Sequence, residues 1–290
     1  MDVERTYGEV ATHARQSLRD VERAPGARKP NPILTADNVR REFGGIVAVD
    51  VDHFEVQEGS ITALIGPNGA GKTTFFNLLT GFDQPNSGSW TFQGKDMSKV
   101  PSHRTAALGM VRTFQLTKSL TKLSVIENMR LGATDQKGEK WWNGLFSAVW
   151  KGQEDEITER ADELLTRFQM IHMRDEYAGA LSGGQRKLLE MARALMTNPT
   201  LVMLDEPMAG VNPALKQSLN EHVRGLRDQG MTVLFVEHDM DMVHDVSDWV
   251  IVMAEGRIIA EGTPDDIAKN PAVIDAYLGT RQGQSLLVGE

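Results

Sequence analysis

The chain has 290 residues, 40% of them hydrophobic and 24% charged, and carries a formal net charge of −9. That acidic balance argues against broad contact with nucleic acid, so no nucleic-acid partner is expected. With no cysteine present, disulfides and thiol catalysis are excluded, and no apolar run approaches the roughly 18 residues of a membrane-spanning helix.

Residues 1–32 are expected to form an N-terminal extension and linker. Up to Arg23 the chain is polar, with apolar residues too sparse to define a helix, and it is expected to be solvated. It mixes acids and bases without an apolar segment, unlike a secretory signal. Ala24 to Pro32 holds three prolines and a glycine and is predicted to be a linker. Ile33 to Val56 alternates around Gly44-Gly45, which predicts an antiparallel hairpin, with Phe43 just before the turn.

The apolar run Ile61 to Ile65 leads into Gly66-Pro67-Asn68-Gly69-Ala70-Gly71-Lys72-Thr73-Thr74. This is a phosphate-binding loop pattern in the strand-then-helix context that gives it meaning. The three glycines allow tight turning, so that successive N–H groups converge on an anion. A helix starting near Lys72 adds its positive end. Lys72 supplies a charge for the outer phosphates, and the Thr73 hydroxyl can ligate Mg²⁺.

Trp90 to Phe92 is predicted as a short strand, and Arg104 to Gln115 as a segment leading away from the core. From Val125 to Ala180, apolar positions such as Ala161, Leu164, Leu165 and Phe168 recur at helical spacing and predict a helical insert. Three of the five tryptophans fall in Trp141-Trp142-Asn143-Gly144-Leu145-Phe146 and Trp150. That cluster fits an amphipathic contact with a membrane partner or interface, and equally simple packing onto the insert. Ser182, Gly183, Gly184 and Gln185, opening the amphipathic stretch Arg186 to Met196, form a second candidate anion site by the same physics.

Leu201 to Leu204 is a predicted strand ending in Asp205 and Glu206. Neighbouring strand residues point to opposite sides, so the pair can divide its work. Asp205 would hold Mg²⁺ through water, and Glu206 would accept a proton from the water attacking the γ-phosphate. Capping of the following helix is the alternative. Another predicted strand, Thr232 to Val236, leads to His238, either a surface or capping residue or an imidazole near the γ-phosphate. Val250 to Ala254 and Arg257 to Ala260 flank the hairpin turn Glu255-Gly256. Strands alternating with helices predict an α/β fold with a parallel sheet and an antiparallel portion from the N-terminal part.

The order of GPNGAGKT, Leu181-Ser182-Gly183-Gly184-Gln185 and LVMLDEP resembles the ATP-binding cassette (ABC) ATPases. The resemblance runs from about Ile33 to Gly279. It implies a P-loop NTPase (RecA-like) core over 33–262, with an antiparallel β subdomain, a helical subdomain inserted at about 116–180, and a tail at 263–290. It makes Gln115 the residue linking metal and γ-phosphate to the insert, His238 the switch histidine and Phe43 the adenine-stacking aromatic. A place in the hairpin core is the alternative for Phe43. Implied ligands are ATP and Mg²⁺. The resemblance also implies a second cassette, identical or paralogous, whose ATP meets Ser182 to Gln185, together with transmembrane permease subunits and, indirectly, a substrate-binding protein. Asn212 stands where many cassettes carry aspartate.

Arg112-Thr113-Phe114-Gln115, Val125-Ile126-Glu127-Asn128, Leu188 to Arg193, Ala209 to Pro213 and Tyr277-Leu278-Gly279 resemble the larger ATPase of branched-chain amino acid importers. The stretch Gly132 to Glu156 fits the longer insert of that subunit. A cytosolic, membrane-peripheral ATPase subunit is therefore expected. Urea-type importers and lipopolysaccharide-export ATPases share much of this pattern. A soluble non-transport cassette is the alternative of another class, though such proteins typically carry coiled-coil arms or two cassettes.

Overall fold

The computed structural model describes residues 3–113, 121–133 and 147–278. A hairpin of β1 (Pro32–Phe43) and β2 (Ile46–Gln57) turns at Gly44-Gly45 as the alternation predicts, both glycines having positive φ. With β4 (Ser87–Phe92) and β5 (Lys95–Asp96) it forms an antiparallel sheet in the order β2-β1-β4-β5.

The second sheet holds β3 (Ile61–Ile65), β6 (Met110–Arg112), β7 (Leu201–Asp205), β8 (Thr232–Val236), β9 (Trp249–Ala254) and β10 (Arg257–Gly262) in the order β10-β9-β3-β8-β7-β6. All its pairings are parallel except β9 with β10. That hairpin turns through Glu255 (φ 50°) and Gly256 (φ 80°), the left-handed pair a tight two-residue turn requires. The strands are buried on both sides, and alternate residues feed two hydrophobic clusters. Ile61, Ala63 and Ile65 join Val202, Leu204 and Phe235 on one face, while Leu64 joins Met203, Leu234 and Ile251 on the other.

The helices cover both faces. They are α1 (Val3–Ser17), α2 (Lys72–Leu79), α3 (Ser102–Thr105), α4 (Val125–Arg130), α5 (Ser147–Arg167), α6 (Gly183–Ala194), α7 (Pro213–Asp228), α8 (Met240–Val246) and α9 (Pro264–Ala268), with residues 271–278 also helical. The described insert is helical as its spacing predicts. Ala161, Leu164, Leu165 and Phe168 are buried against the cluster that also holds α6 and α7.

Three segments differ from expectation. The N-terminal stretch is not a solvated coil, because α1 packs on α7 and Ala11, Ala14, Leu18 and Val21 are buried. Their 3-4-3 spacing is helical, but two of the four are alanines, which carry little apolar signal. The proline-rich segment is docked as well. Lys29 is buried, donates to the Ala27 carbonyl at 2.6 Å, and pairs with Glu261. Glu261 in turn accepts from the Trp249 indole at 2.9 Å. Within Arg104 to Gln115, Met110 to Arg112 does not lead away but forms β6, paired with β7. A three-residue strand is too short to show alternation.

Candidate functional site

The phosphate loop lies between β3 and α2, at the carboxyl edge of the parallel sheet, where such sheets bind ligands. Gly66, Gly69 and Gly71 have φ of 148°, 80° and 97°. A Cβ on Gly66 would sit 2.0 Å from the Met253 carbonyl oxygen, and one on Gly71 would sit 2.3 Å from that of Ala48. Neither position admits a side chain. The loop is also braced from outside: the Gly256 amide donates to Ala70 O at 3.0 Å, and Gly256 O accepts from the Asp50 amide at 2.8 Å.

α2 starts at Lys72 without a side-chain cap, so its amide end faces the loop. The Lys72 ammonium is buried and donates to Gly66 O at 2.7 Å and Pro67 O at 2.9 Å. Burial pushes its pKa down, and the Glu206 carboxylate opposes that shift. A cavity of about 230 Å³ is lined by Asn68 to Thr74, Ala48, Glu206 and His238. Four separate stretches of sequence thus meet at one place.

Glu206 follows β7 with φ 47°, a left-handed conformation that is uncommon for a non-glycine residue. Its amide is held by Val236 O at 3.0 Å and its carbonyl by the Lys187 ammonium at 2.9 Å. The carboxylate meets His238 Nε2 at 3.0 Å. Capping is done elsewhere, by Asn212 for α7 and by Asp239 for α8. Asp205 ends β7 and pairs with Arg112, whose guanidinium also donates to Asn77 Oδ1 at 2.7 Å. Thr73, Asp205, Glu206, Lys187 and Glu190 line a second, adjoining cavity of about 470 Å³.

Three residues that no spacing argument marked hold this site together. Arg112 fixes Asp205, and Lys187 fixes the backbone of Glu206. Buried Glu237 accepts from the Met208 amide at 2.6 Å and the His238 amide at 3.0 Å. Asp205, Glu206 and Met208 lie 93, 19 and 29 positions from Arg112, Lys187 and Glu237, so only the fold reveals these contacts.

Ser182 to Gln185 open α6 in a reciprocal cap: Gln185 Oε1 accepts from the Ser182 amide at 2.8 Å, and Ser182 Oγ accepts from the Gln185 amide at 3.3 Å. Among the described residues lining the two cavities, none comes from this motif. Phe43 stands at the hairpin tip, half exposed, with the Arg41 guanidinium 4.5 Å from its ring centroid. Gln115 and the segment Trp141 to Phe146 lie outside the described residues.

A glycine cradle between the first parallel strand and its helix, faced by a carboxylate at a neighbouring strand end, is the arrangement of a P-loop ATPase. The family model described as "ABC transporter" matches residues 49–209, more than half of the 290. One described as "Branched-chain amino acid ATP-binding cassette transporter" matches residues 257–282. The chain belongs to the ABC transporter family and is an ATP-binding, ATP-hydrolysing member of it.

A probable branched-chain amino acid transport ATP-binding protein, LivG, of Archaeoglobus fulgidus is 42% identical over 252 residues, covering 87% of this chain and 97% of the relative. The high-affinity branched-chain amino acid transport ATP-binding protein BraF of Pseudomonas aeruginosa is 39% identical over 250 residues, covering 86% and 98%. A crystal structure of a nucleotide-free ATP-binding cassette from an ABC transporter superposes with a TM-score of 0.75 at 38% identity, covering 85% of this chain and 98% of that one. Among the described residues, no helix is long and apolar enough to cross a membrane.

Proposed function

We propose that this chain hydrolyses ATP to power uptake of branched-chain amino acids by a membrane transporter. It works as one of two cassettes bound to permease subunits on the cytoplasmic face of the membrane, and a substrate-binding protein delivers the cargo. The observation that carries the hydrolytic part is the Glu206–His238 pair facing Lys72 and the phosphate loop across one cavity. The cargo rests on what the relatives are named for, since a cassette does not touch it.

Each residue then has a task. Gly66 to Gly71 and Lys72 hold the phosphates of ATP. Glu206 accepts the proton of the attacking water, while His238 orients that carboxylate and contacts the γ-phosphate side. Phe43, with half its ring open, stacks on adenine. Ser182 to Gln185 reach the nucleotide of the second cassette, which is consistent with their lying away from this chain's own cavity. Thr73 and Asp205 offer the hard oxygen donors that suit Mg²⁺ and share a cavity; Gln115 completes the set. Bound there, Mg²⁺ would neutralise charge on the phosphoryl oxygens.

Purifying the tagged chain from gently solubilised membranes and identifying its partners by mass spectrometry tests this reading. Two permease-like proteins and a second, shorter cassette are expected. Recovery with soluble partners only, or with none, would overturn the transport reading.

A further inference from the structure

The Phe43 ring is braced by a side chain on its own strand. Phe43 stands where β1 meets the hairpin turn, and the Arg41 guanidinium lies 4.5 Å from its ring centroid. Residues two apart on a strand share a face, which brings the pair together. The guanidinium is itself clamped. Its Nε donates to Asp83 Oδ2 at 3.0 Å, and Nη2 lies 2.9 Å from Asp83 Oδ1, a fork matched to a carboxylate. Phe43 is still 48% exposed, so a flat ligand can reach the surface that Arg41 leaves open.

Asp83 belongs to the turn that follows α2, the helix opened by Lys72. Its amide donates to Asn77 O at 3.2 Å, and the Phe82 amide donates to the same carbonyl at 2.9 Å. Beyond it, Asn86 grips the strand on both sides of Arg41. Its Oδ1 accepts from the Glu42 amide at 2.8 Å, and its amide donates to Arg40 O at 2.7 Å. The hairpin tip is therefore fastened to the far end of the phosphate-loop helix. An unbraced phenylalanine at a hairpin tip is free to change rotamer, and fixing it on binding costs affinity. A guanidinium over one face removes that freedom beforehand and is itself attracted to the ring.

We propose that Arg41 is a positioning residue for the nucleotide base: anchored by Asp83, it holds the Phe43 ring ready for stacking at a fixed span from the phosphate loop. Both ends of the nucleotide are then gripped by parts tied to one helix. The inference rests on the reading of Phe43 as the adenine-stacking aromatic.

The test compares full-length wild type, Arg41→Ala, Asp83→Ala and Phe43→Ala for affinity toward ADP and toward inorganic pyrophosphate, which carries the phosphates without the base. Arg41→Ala is expected to weaken ADP about 2- to 5-fold, the cation–π range at an exposed site, and to leave pyrophosphate at wild type. Asp83→Ala is expected to shift in the same sense, and Phe43→Ala to lose about 5-fold or more for ADP alone. Affinity is read well below each melting midpoint, so a destabilised variant still gives a decisive value. An equal loss toward pyrophosphate in Arg41→Ala would mark a general disturbance of the site and overturn the role. Wild-type ADP affinity in Arg41→Ala alongside a weakened Phe43→Ala would overturn it too, and wild-type affinity in Asp83→Ala would overturn the anchoring. Wild-type ADP affinity in Phe43→Ala would overturn the adenine reading of the ring itself.

Discussion

Glu206 occupies a left-handed backbone conformation that costs on the order of 1 kcal/mol for a residue with a Cβ. The Val236 and Lys187 contacts hold it there, aiming the carboxylate across β8 toward His238. Glu206→Gln keeps the shape and removes the carboxylate proposed as the proton acceptor. Steady-state assays are expected to show turnover lowered by roughly 10²–10⁴ with nucleotide affinity retained, and near-normal hydrolysis would remove Glu206 from its role. Glu190, in the adjoining cavity, behaves differently. Burial raises its pKa from the ordinary 4.5 to about 7, against the pull of Arg193 and Lys187. A carboxyl that binds its proton more tightly when folded stabilises the fold fully below about pH 4.5, and that contribution is lost as pH climbs to about 7. Glu190→Gln should therefore gain stability relative to wild type between pH 6 and pH 8, by on the order of 1 kcal/mol. Denaturant titrations at the two pH values measure it, and a gap that does not widen would argue against a buried, strained carboxyl.

Among the elements, the phosphate loop allows two glycines of one motif to be separated by their causes. Gly69 and Gly71 both have positive φ, but a Cβ on Gly69 meets nothing within 4 Å, whereas one on Gly71 runs into the Ala48 carbonyl of β2. Gly69→Ala should cost only the backbone term, on the order of 1 kcal/mol. Gly71→Ala should add about 1–3 kcal/mol for overpacking and pull β2 away from the loop. Thermal or denaturant unfolding compares the two, and equal losses would contradict the contact. This loop, both hairpins and the strands at 201–204 and 232–236 were legible in the sequence because they rest on local rules: glycines where φ is positive, alternation, and apolar runs closed by polar residues. β6 and α1 were not. β6 is three residues long and owes its place to pairing with β7, and α1 presents alanines where a pattern reader looks for large side chains. Within the site, the loop, Asp205, Glu206 and His238 could be read from the chain. Arg112, Lys187 and Glu237 act through contacts to Asp205, Glu206 and Met208 across long stretches of sequence, which no spacing encodes.

Across the whole molecule, the buried Lys29–Glu261 pair ties the N-terminal segment to the edge of the parallel sheet, both side chains being 1% exposed. Glu55 receives the Lys29 amide, and Trp249 lies 5.2 Å from the ammonium. Breaking such a pair strands a buried carboxylate, so Lys29→Met should destabilise the protein by about 3–5 kcal/mol. Lys29→Met with Glu261→Gln should recover part of that loss. Urea unfolding reads both, and a neutral Lys29→Met would show that the segment is dispensable. A second long-range tie has a different consequence. The carboxylate of Glu237 holds the Met208 amide with one oxygen and the His238 amide with the other, so the loop after β7 and the histidine after β8 hang from a single side chain. In genetic terms the two stretches form one locus of effect. An allele that shifts residues 207–210 is read at the histidine, and compensating changes for either lesion are to be sought at the other.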